Sequence, residues 1–292
     1  MAYETGTASD YQDLQNRIVT FVTTNSDLVA NNQNWELLKQ DGTSCYLKAP
    51  GLSGTESIYC GLDVISNATN DYYNMLLYGS RGFVANEPLS AQPFSGRHVI
   101  LLWNKSIKYW LIANGQRLII VAKISTNYEM AYVGKIFPYA TPKQYPYPLL
   151  IAGTGSKTTL RWDSNEDHHT SLQSPYGGSD GATGRLYLND GESALTTSSY
   201  RSSSEICINP NKRSYKNIIV QQNTDGTYTL IPFVLYSDKD GGNILGEIDG
   251  IYWVTGHNNA SENIITIDNV DYLVVQNTFR TGWQDYCAVA LV

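Results

Sequence analysis

Charged side chains are scarce in this 292-residue chain, at 16% against roughly 25% in an ordinary soluble domain. Its surface must be wetted mainly by Ser, Thr, Asn, Gln and Tyr, a composition suited to contact with other protein. Basic charge is scarcer still. Lys and Arg number 20 against 27 Asp and Glu, a net charge of −7 with no clustered basic run, which argues against sequence-independent phosphate binding; no sequence-specific nucleic-acid partner is expected either. No stretch approaches the ~18 apolar residues of a membrane-spanning helix. The opening Met1-Ala-Tyr-Glu-Thr-Gly has neither the basic nor the apolar part of a secretion signal. The expectation is a soluble chain made in the cytoplasm, with no membrane partner. Cysteine is sparse too: Cys45, Cys60, Cys207 and Cys287 stand far apart with no Cys-x-x-Cys pair, and read as four buried free thiols. The glycosylation sequons at Asn67, Asn104 and Asn259 carry little weight without a secretion signal.

The chain does have length and apolar mass. It is 42% hydrophobic, with 22 Tyr, 6 Trp and 6 Phe, and a chain this long buries roughly three quarters of its unfolded surface, which excludes a disordered or fibrous protein. One stretch has a clear helical period. Ser9 with Gln12 reads as a capping box, and Tyr11, Leu14, Ile18, Phe21 and Val22 form one apolar stripe over about 10–24.

From Trp35 the period becomes strand-like. The runs beginning at Trp35, Cys45, Ser57 and Tyr73 read as successive strands between Gly, Asn and Asp punctuation. Tyr109 to Ala113 and Gln116 to Ile124 read as a hairpin whose Asn114-Gly115 predicts a type I′ turn. Pro138 to Pro148 interleaves four prolines with three tyrosines, so it is extended but outside any central strand. Between Thr154 and Ser204 the composition turns polar, marking a boundary or a long loop. Beyond it, Tyr215 to Gln222, Tyr228 to Tyr236, Glu247 to Val254, Asn263 to Ile267, Tyr272 to Phe279 and Asp285 to Leu291 read as short strands of an antiparallel sheet. The expected fold class is mainly β, a β-rich α+β arrangement of antiparallel sheets or sandwiches with an N-terminal amphipathic helix. Four parts follow: an N-terminal helical segment 1–34, a β-rich domain 35–163, a polar Ser/Gly-rich loop or linker 164–204, and a C-terminal antiparallel β domain 205–292.

Several constellations invite a chemical reading, and each has a plainer one. Asp163-Ser-Asn-Glu166-Asp167-His168-His169 offers oxygen and imidazole ligands, but reads as a solvated loop because nothing in sequence completes a metal site. Asp238-Lys-Asp240 with Asp249 at the twelfth position departs from a calcium loop, having Asn243 where glycine is needed. Gly153-Thr-Gly155-Ser-Lys157 lacks the spacing of a phosphate loop and reads as a mobile loop. Ser179, in Gly177-Gly-Ser-Asp-Gly181, lacks the strand and helix that hold a nucleophile elbow. A triad would have to recruit His98, His168, His169 or His257. No catalytic, cofactor-binding or metal-binding residue is assigned, no cofactor is expected, and the chain is read as not an enzyme. Trp35, Trp103, Trp110 and Trp253 fall within strand patterns and read as core; Trp283, in a loop, is the better contact candidate.

Four stretches carry a resemblance. Leu245-Gly-Glu-Ile-Asp-Gly-Ile-Tyr-Trp-Val-Thr-Gly-His-Asn-Asn-Ala-Ser-Glu-Asn263 with Val275-Gln-Asn-Thr-Phe-Arg-Thr-Gly-Trp-Gln-Asp-Tyr-Cys-Ala-Val289 resembles the C-terminal segment of a poorly characterised group of virion structural proteins of tailed bacteriophages. Leu102 to Arg117, Tyr139 to Pro148 and the opening Met1 to Ala8 are similar to segments of the same group. The resemblance touches the start, middle and end of the chain. The resemblance brings no catalytic motif. It implies a neck, tail or baseplate component in the virion, a homo-oligomer in rings of six or a related number, whose partners are other virion structural proteins. The alternative is a receptor- or glycan-binding tail protein, which requires a solvent-facing aromatic groove. The N-terminal helix and the 164–204 segment are expected to be docking elements that order on assembly.

Overall fold

The computed structural model describes residues 1–93, 96–139, 149–155, 157–164, 172, 184–188, 191–196, 206–210, 222–237, 243–277 and 282–292. The protein is mainly β. In chain order its elements are β1 (Ala2–Ala8), α1 (Tyr11–Thr24), α2 (Ser26–Ala30), β2 (Glu36–Asp41), β3 (Ser44–Ala49), β4 (Ile58–Asn67), β5 (Tyr72–Ser80), a 3₁₀ turn (Leu89–Ala91) and β6 (Gly96–Ile100). Then come β7 (Ile107–Ala113), β8 (Arg117–Ile124), β9 (Asn127–Lys135), β10 (Phe137–Pro138), β11 (Leu149–Gly153), β12 (Gly184–Leu188), β13 (Gly191–Thr196) and β14 (Ile206–Asn209). The C-terminal strands are β15 (Ile231–Ser237), β16 (Asn243–Trp253), β17 (Ile264–Ile267), β18 (Val270–Gln276) and β19 (Tyr286–Ala290).

Two sheets hold these strands. The smaller runs β2-β3-β4-β5-β6; the larger runs β1-β7-β8-β9-β11-β12-β13-β14-β15-β16-β19-β18-β17, and β10 pairs with β16. Every pairing among the described strands is antiparallel except β13 with β14. Because β10 continues the line of β9 and pairs with β16, the larger sheet folds back on itself at that end.

The strands β7, β8 and β9 are buried on both faces, and that explains their composition. Side chains alternate across a strand, so a strand covered on both sides needs apolar residues at consecutive positions. Tyr109, Leu111, Leu118, Ile120, Ala122 and Val133 join one core with α1 and the smaller sheet. Trp110, Ile112, Ile119, Val121, Met130 and Tyr132 join a second core with Ile208, Phe233, Leu245, Ile251, Trp253 and Val289. The strands on either side of 164–204 thus belong to one sheet and share the second core.

α1 begins one residue later than the sequence reading. Asp10, not Ser9, is the N-cap: its Oδ1 accepts from the amides of Gln12 and Asp13 at 2.9 Å each, while Asp13 Oδ2 accepts from Ser9 N–H at 2.8 Å. The apolar stripe Tyr11, Leu14, Ile18, Phe21 and Val22 is buried within the chain's own first core, so that face of the expected docking element is already occupied. The strand β1 was not foreseen, because Ala-Tyr-Glu-Thr-Gly-Thr-Ala shows no apolar alternation. It is held instead by its ladder to β7 and by Gly6, which leaves room for the Tyr109 ring: a Cβ there would stand 2.6 Å from the Tyr109 hydroxyl. The Pro/Tyr segment over 140–148, the strand read at Tyr215 (all but its last residue) and nearly all of 164–204 apart from β12 and β13 lie outside the described residues.

Candidate functional site

The densest polar arrangement in the described interior grows from the β7–β8 hairpin. Its turn is not type I′, since neither Asn114 nor Gly115 has a positive φ. Asn114 closes it with its side chain: Oδ1 accepts from the amides of Gln116 at 2.9 Å and Arg117 at 3.0 Å, an Asx-type turn. The tip is docked rather than exposed. Trp35 Nε1 donates to Asn114 O at 2.8 Å, Gly51 N–H donates to Gly115 O at 2.5 Å, and Gly115 N–H donates to Gln33 Oε1 at 3.3 Å.

This tip delivers Arg117 to Asp249 on β16, the strand that crosses over the second core. Arg117 Nε donates to Asp249 Oδ2 at 2.8 Å, with the arginine side chain 1% exposed and the aspartate 26%. Asn114 Nδ2 and Gln116 Nε2 reach the same oxygen at 3.4 and 3.5 Å, distances at which a hydrogen bond is weak. Gly250, at φ +82°, lies against the guanidinium; a Cβ there would stand 2.6 Å from Nη2. Nη2 also meets Met1 Sδ at 3.2 Å, whereas Nη1 has no hydrogen-bond partner among the described residues. Beneath the pair, burial pushes the Tyr132 phenol well above its ordinary range, and the Asp249 carboxylate pushes the same way.

A second tie joins the other ends of the same strands. Glu262, in the turn before β17, accepts from Lys108 at 2.6 Å, Lys123 at 2.6 Å and Tyr128 at 2.7 Å. Partial burial alone would raise this carboxyl, but the three hydrogen bonds outweigh it and hold it at about 2, against an ordinary 4.5. The sign follows. A carboxyl depressed in the folded state contributes stability that is present above 4.5 and is lost as pH falls toward 2. Glu262→Gln is therefore expected to cost about 1 to 2 kcal/mol at pH 6, after discounting for solvent screening of half-exposed lysines. The difference between variant and parent should shrink as pH falls below 4.5 and disappear only below about 2; urea midpoints measured across that range check it.

Among the described residues, the groups weighed on sequence for reaction chemistry are not brought together. Asp163 pairs with Arg161, which also meets Asp71 at 2.7 Å and covers the Trp162 ring. Glu166, Asp167, His168, His169, Ser179, Asp238 and Asp240 lie outside the described residues. Gly153 to Gly155 is not a mobile loop: Gly153 ends β11, and beyond it Thr154 N–H donates to Met130 O at 3.0 Å and Gly155 N–H to Val99 O at 2.9 Å. His98 is buried on β6 of the smaller sheet, whereas His257 lies in the turn after β16 of the larger one and stacks on Trp283 at 5.9 Å. Among the described residues no group of three or more His, Cys, Asp or Glu side chains gathers as a metal site would require. No described helix is long and apolar enough to cross a membrane.

Trp35, Trp110 and Trp253 are buried core, and Trp103 packs half-buried against Trp162. Trp283 is half-buried, edge-on to Trp253 as well as stacked on His257. Cys45, Cys60 and Cys287 are buried free thiols, with burial pushing the latter two far up; Cys207 is described only by its place on β14. Arg117 and Glu262 were missed on sequence, and Asp249 was weighed only as the twelfth position of a calcium-type loop. For the Arg117–Asp249 pair a signal existed: charges of opposite sign in the largely apolar strands β8 and β16, which also carry Lys123 and Glu247, where an unpaired ion would be too costly to bury.

Compared with known protein families and with curated protein sequences, the chain matches none of them.

Proposed function

We propose that this protein is a structural component of a tailed-bacteriophage virion, part of the neck, tail or baseplate, acting through protein contacts and without chemistry of its own. The observation that carries the reading is where the resembling stretches meet. Met1, Asn114, Arg117 and Asp249 come from three of them and touch in one place; Tyr139, from a fourth, donates to Glu247 at 2.8 Å beside it. What these stretches hold in common is a scaffold, two layers of a continuous sheet tied by a buried ion pair. Such a scaffold suits a part that must keep its shape while neighbours bear on it. The low charge and abundant Tyr, Asn and Gln suit extensive contact with other protein.

The receptor- or glycan-binding alternative draws less support. A sugar stacks on an open aromatic face, and here Lys105 covers Trp103, Arg161 covers Trp162 and His257 covers Trp283. Quantitative mass spectrometry of purified particles that encode this chain tests the proposal. The expected result is the protein in fixed copy number relative to the other tail proteins, a multiple of three or six; its absence from washed particles overturns the reading.

A further inference from the structure

The described strands leave four sheet edges, and three of them are blunted in ways that discourage further pairing. β2 carries Glu36, Lys39 and Asp41 and a register shift between Leu37 and Lys39. β6 is met by Gly155, whose amide bonds Val99 O. β17 is only four residues long and stops at the Asp268-Asn269 turn. β1 is different. It pairs with β7 over all seven residues with no register shift, has no Lys and no Pro, and ends the larger sheet. An edge this long and regular presents unpaired N–H and C=O groups that template another strand.

We propose that β1 is a self-association edge, at which two copies of the chain pair antiparallel about Thr5. The occupant is argued from the strand's own sequence. In that register Thr5 faces Thr5, Tyr3 faces Thr7 and Glu4 faces Gly6, so no like charges oppose and all seven residues pair. Sliding one way by two residues sets Glu4 against Glu4, and sliding the other way leaves five residues paired. Glu4, the only charge on the strand, is engaged within its own chain, accepting from the Tyr109 hydroxyl at 2.8 Å. Tyr3, Thr5 and Thr7 are exposed along the outer face, where cross-strand contacts between copies would form. The pairing is isologous, joining two copies through the same strand and extending one sheet across both. It rests on this edge alone and goes beyond the virion reading: it would hold in a protein that never enters a particle.

The test is the mass of the full chain in solution by light scattering, from about 1 to 100 μM, a range that reaches the modest affinity expected of a single strand pair. The parent is expected to approach twice 32.5 kDa. Thr5→Lys sets two ammonium groups face to face and is expected to weaken association at least about tenfold. Thr266→Lys, on the exposed face of β17, should leave it unchanged. A parent that stays monomeric at 100 μM, or a dimer that survives Thr5→Lys, overturns the proposal. Because Thr5 also donates to Tyr109 O at 2.8 Å, hydrogen exchange of the parent supplies a readout free of any folding defect. Amide protection at residues 3 to 7 should rise with protein concentration, and protection independent of concentration contradicts the edge pairing.

Discussion

Asp249→Ala is expected to lower the stability of the protein by about 2 to 4 kcal/mol, because it leaves the Arg117 guanidinium buried with no counter-charge. The aspartate is partly exposed, and water can enter its place, which holds the cost below that of a fully enclosed pair. The arginine cannot escape. It is 1% exposed, with Gly250 against one side and the thioether of Met1 on Nη2, a weak acceptor. Replacing both partners with apolar side chains, Arg117→Met with Asp249→Leu, is expected to recover most of the loss, since two neutral residues have no charge to desolvate. Urea unfolding of Arg117→Met, Asp249→Leu and the variant carrying both measures this; a double variant as unstable as the sum of those two singles would show that the ion pair is not what couples the residues.

Gly115→Ala is expected to cost about 2 to 4 kcal/mol, for a different physical reason. A Cβ at 115 would stand 2.1 Å from Gly51 O and 2.8 Å from Gly51 C, so main chain meets main chain and no rotamer change relieves it. Undocking the tip would also free Asn114 and its neighbours from Trp35, Gly51 and Gln33. Gly42→Ala supplies the contrast. Its φ is +58° but nothing lies within 4 Å of its Cβ position, so only the left-handed backbone is penalised, at about 1 kcal/mol. Equal midpoints for the two variants in thermal unfolding would show that close approach is not the reason for glycine at 115.

That pair of glycines shows how far the sequence could be read. Asn114-Gly115 marked a hairpin correctly but misled about its turn, because a dipeptide that favours positive φ also serves where a side-chain cap and close backbone approach are needed. The turn with two positive φ values is Asp268-Asn269, at 52° and 65°, between Ile267 and Val270, where the pairing leaves two loop residues. Long apolar runs and the helical stripe were legible because their period follows from burial. β1 was not, since its place depends on Tyr109 filling the space over Gly6. β9 was missed with Glu129 near its start; that carboxylate is buried and accepts from the Thr154 hydroxyl and from Leu101 N–H at 3.4 Å, partners that are 25 and 28 residues away in sequence. The same holds for Glu262, whose three donors lie 134 to 154 residues distant. Local pattern records burial; it does not record which distant group completes a polar contact.

The two ties have a common consequence. Arg117 with Asp249 fixes one end of the β7–β8 hairpin to the C-terminal strands, and Glu262 fixes the other, so both layers around the second core are held at either end. A clamp at both ends of this core is the feature that the proposed virion role would draw on.

Electron microscopy of intact tailed particles encoding this chain, with density for the protein sought in each symmetric layer, tests the central claim most directly. The account predicts a repeated β-rich density of this fold in a ring of the neck, tail or baseplate. A particle resolved throughout those layers with no such density would contradict it.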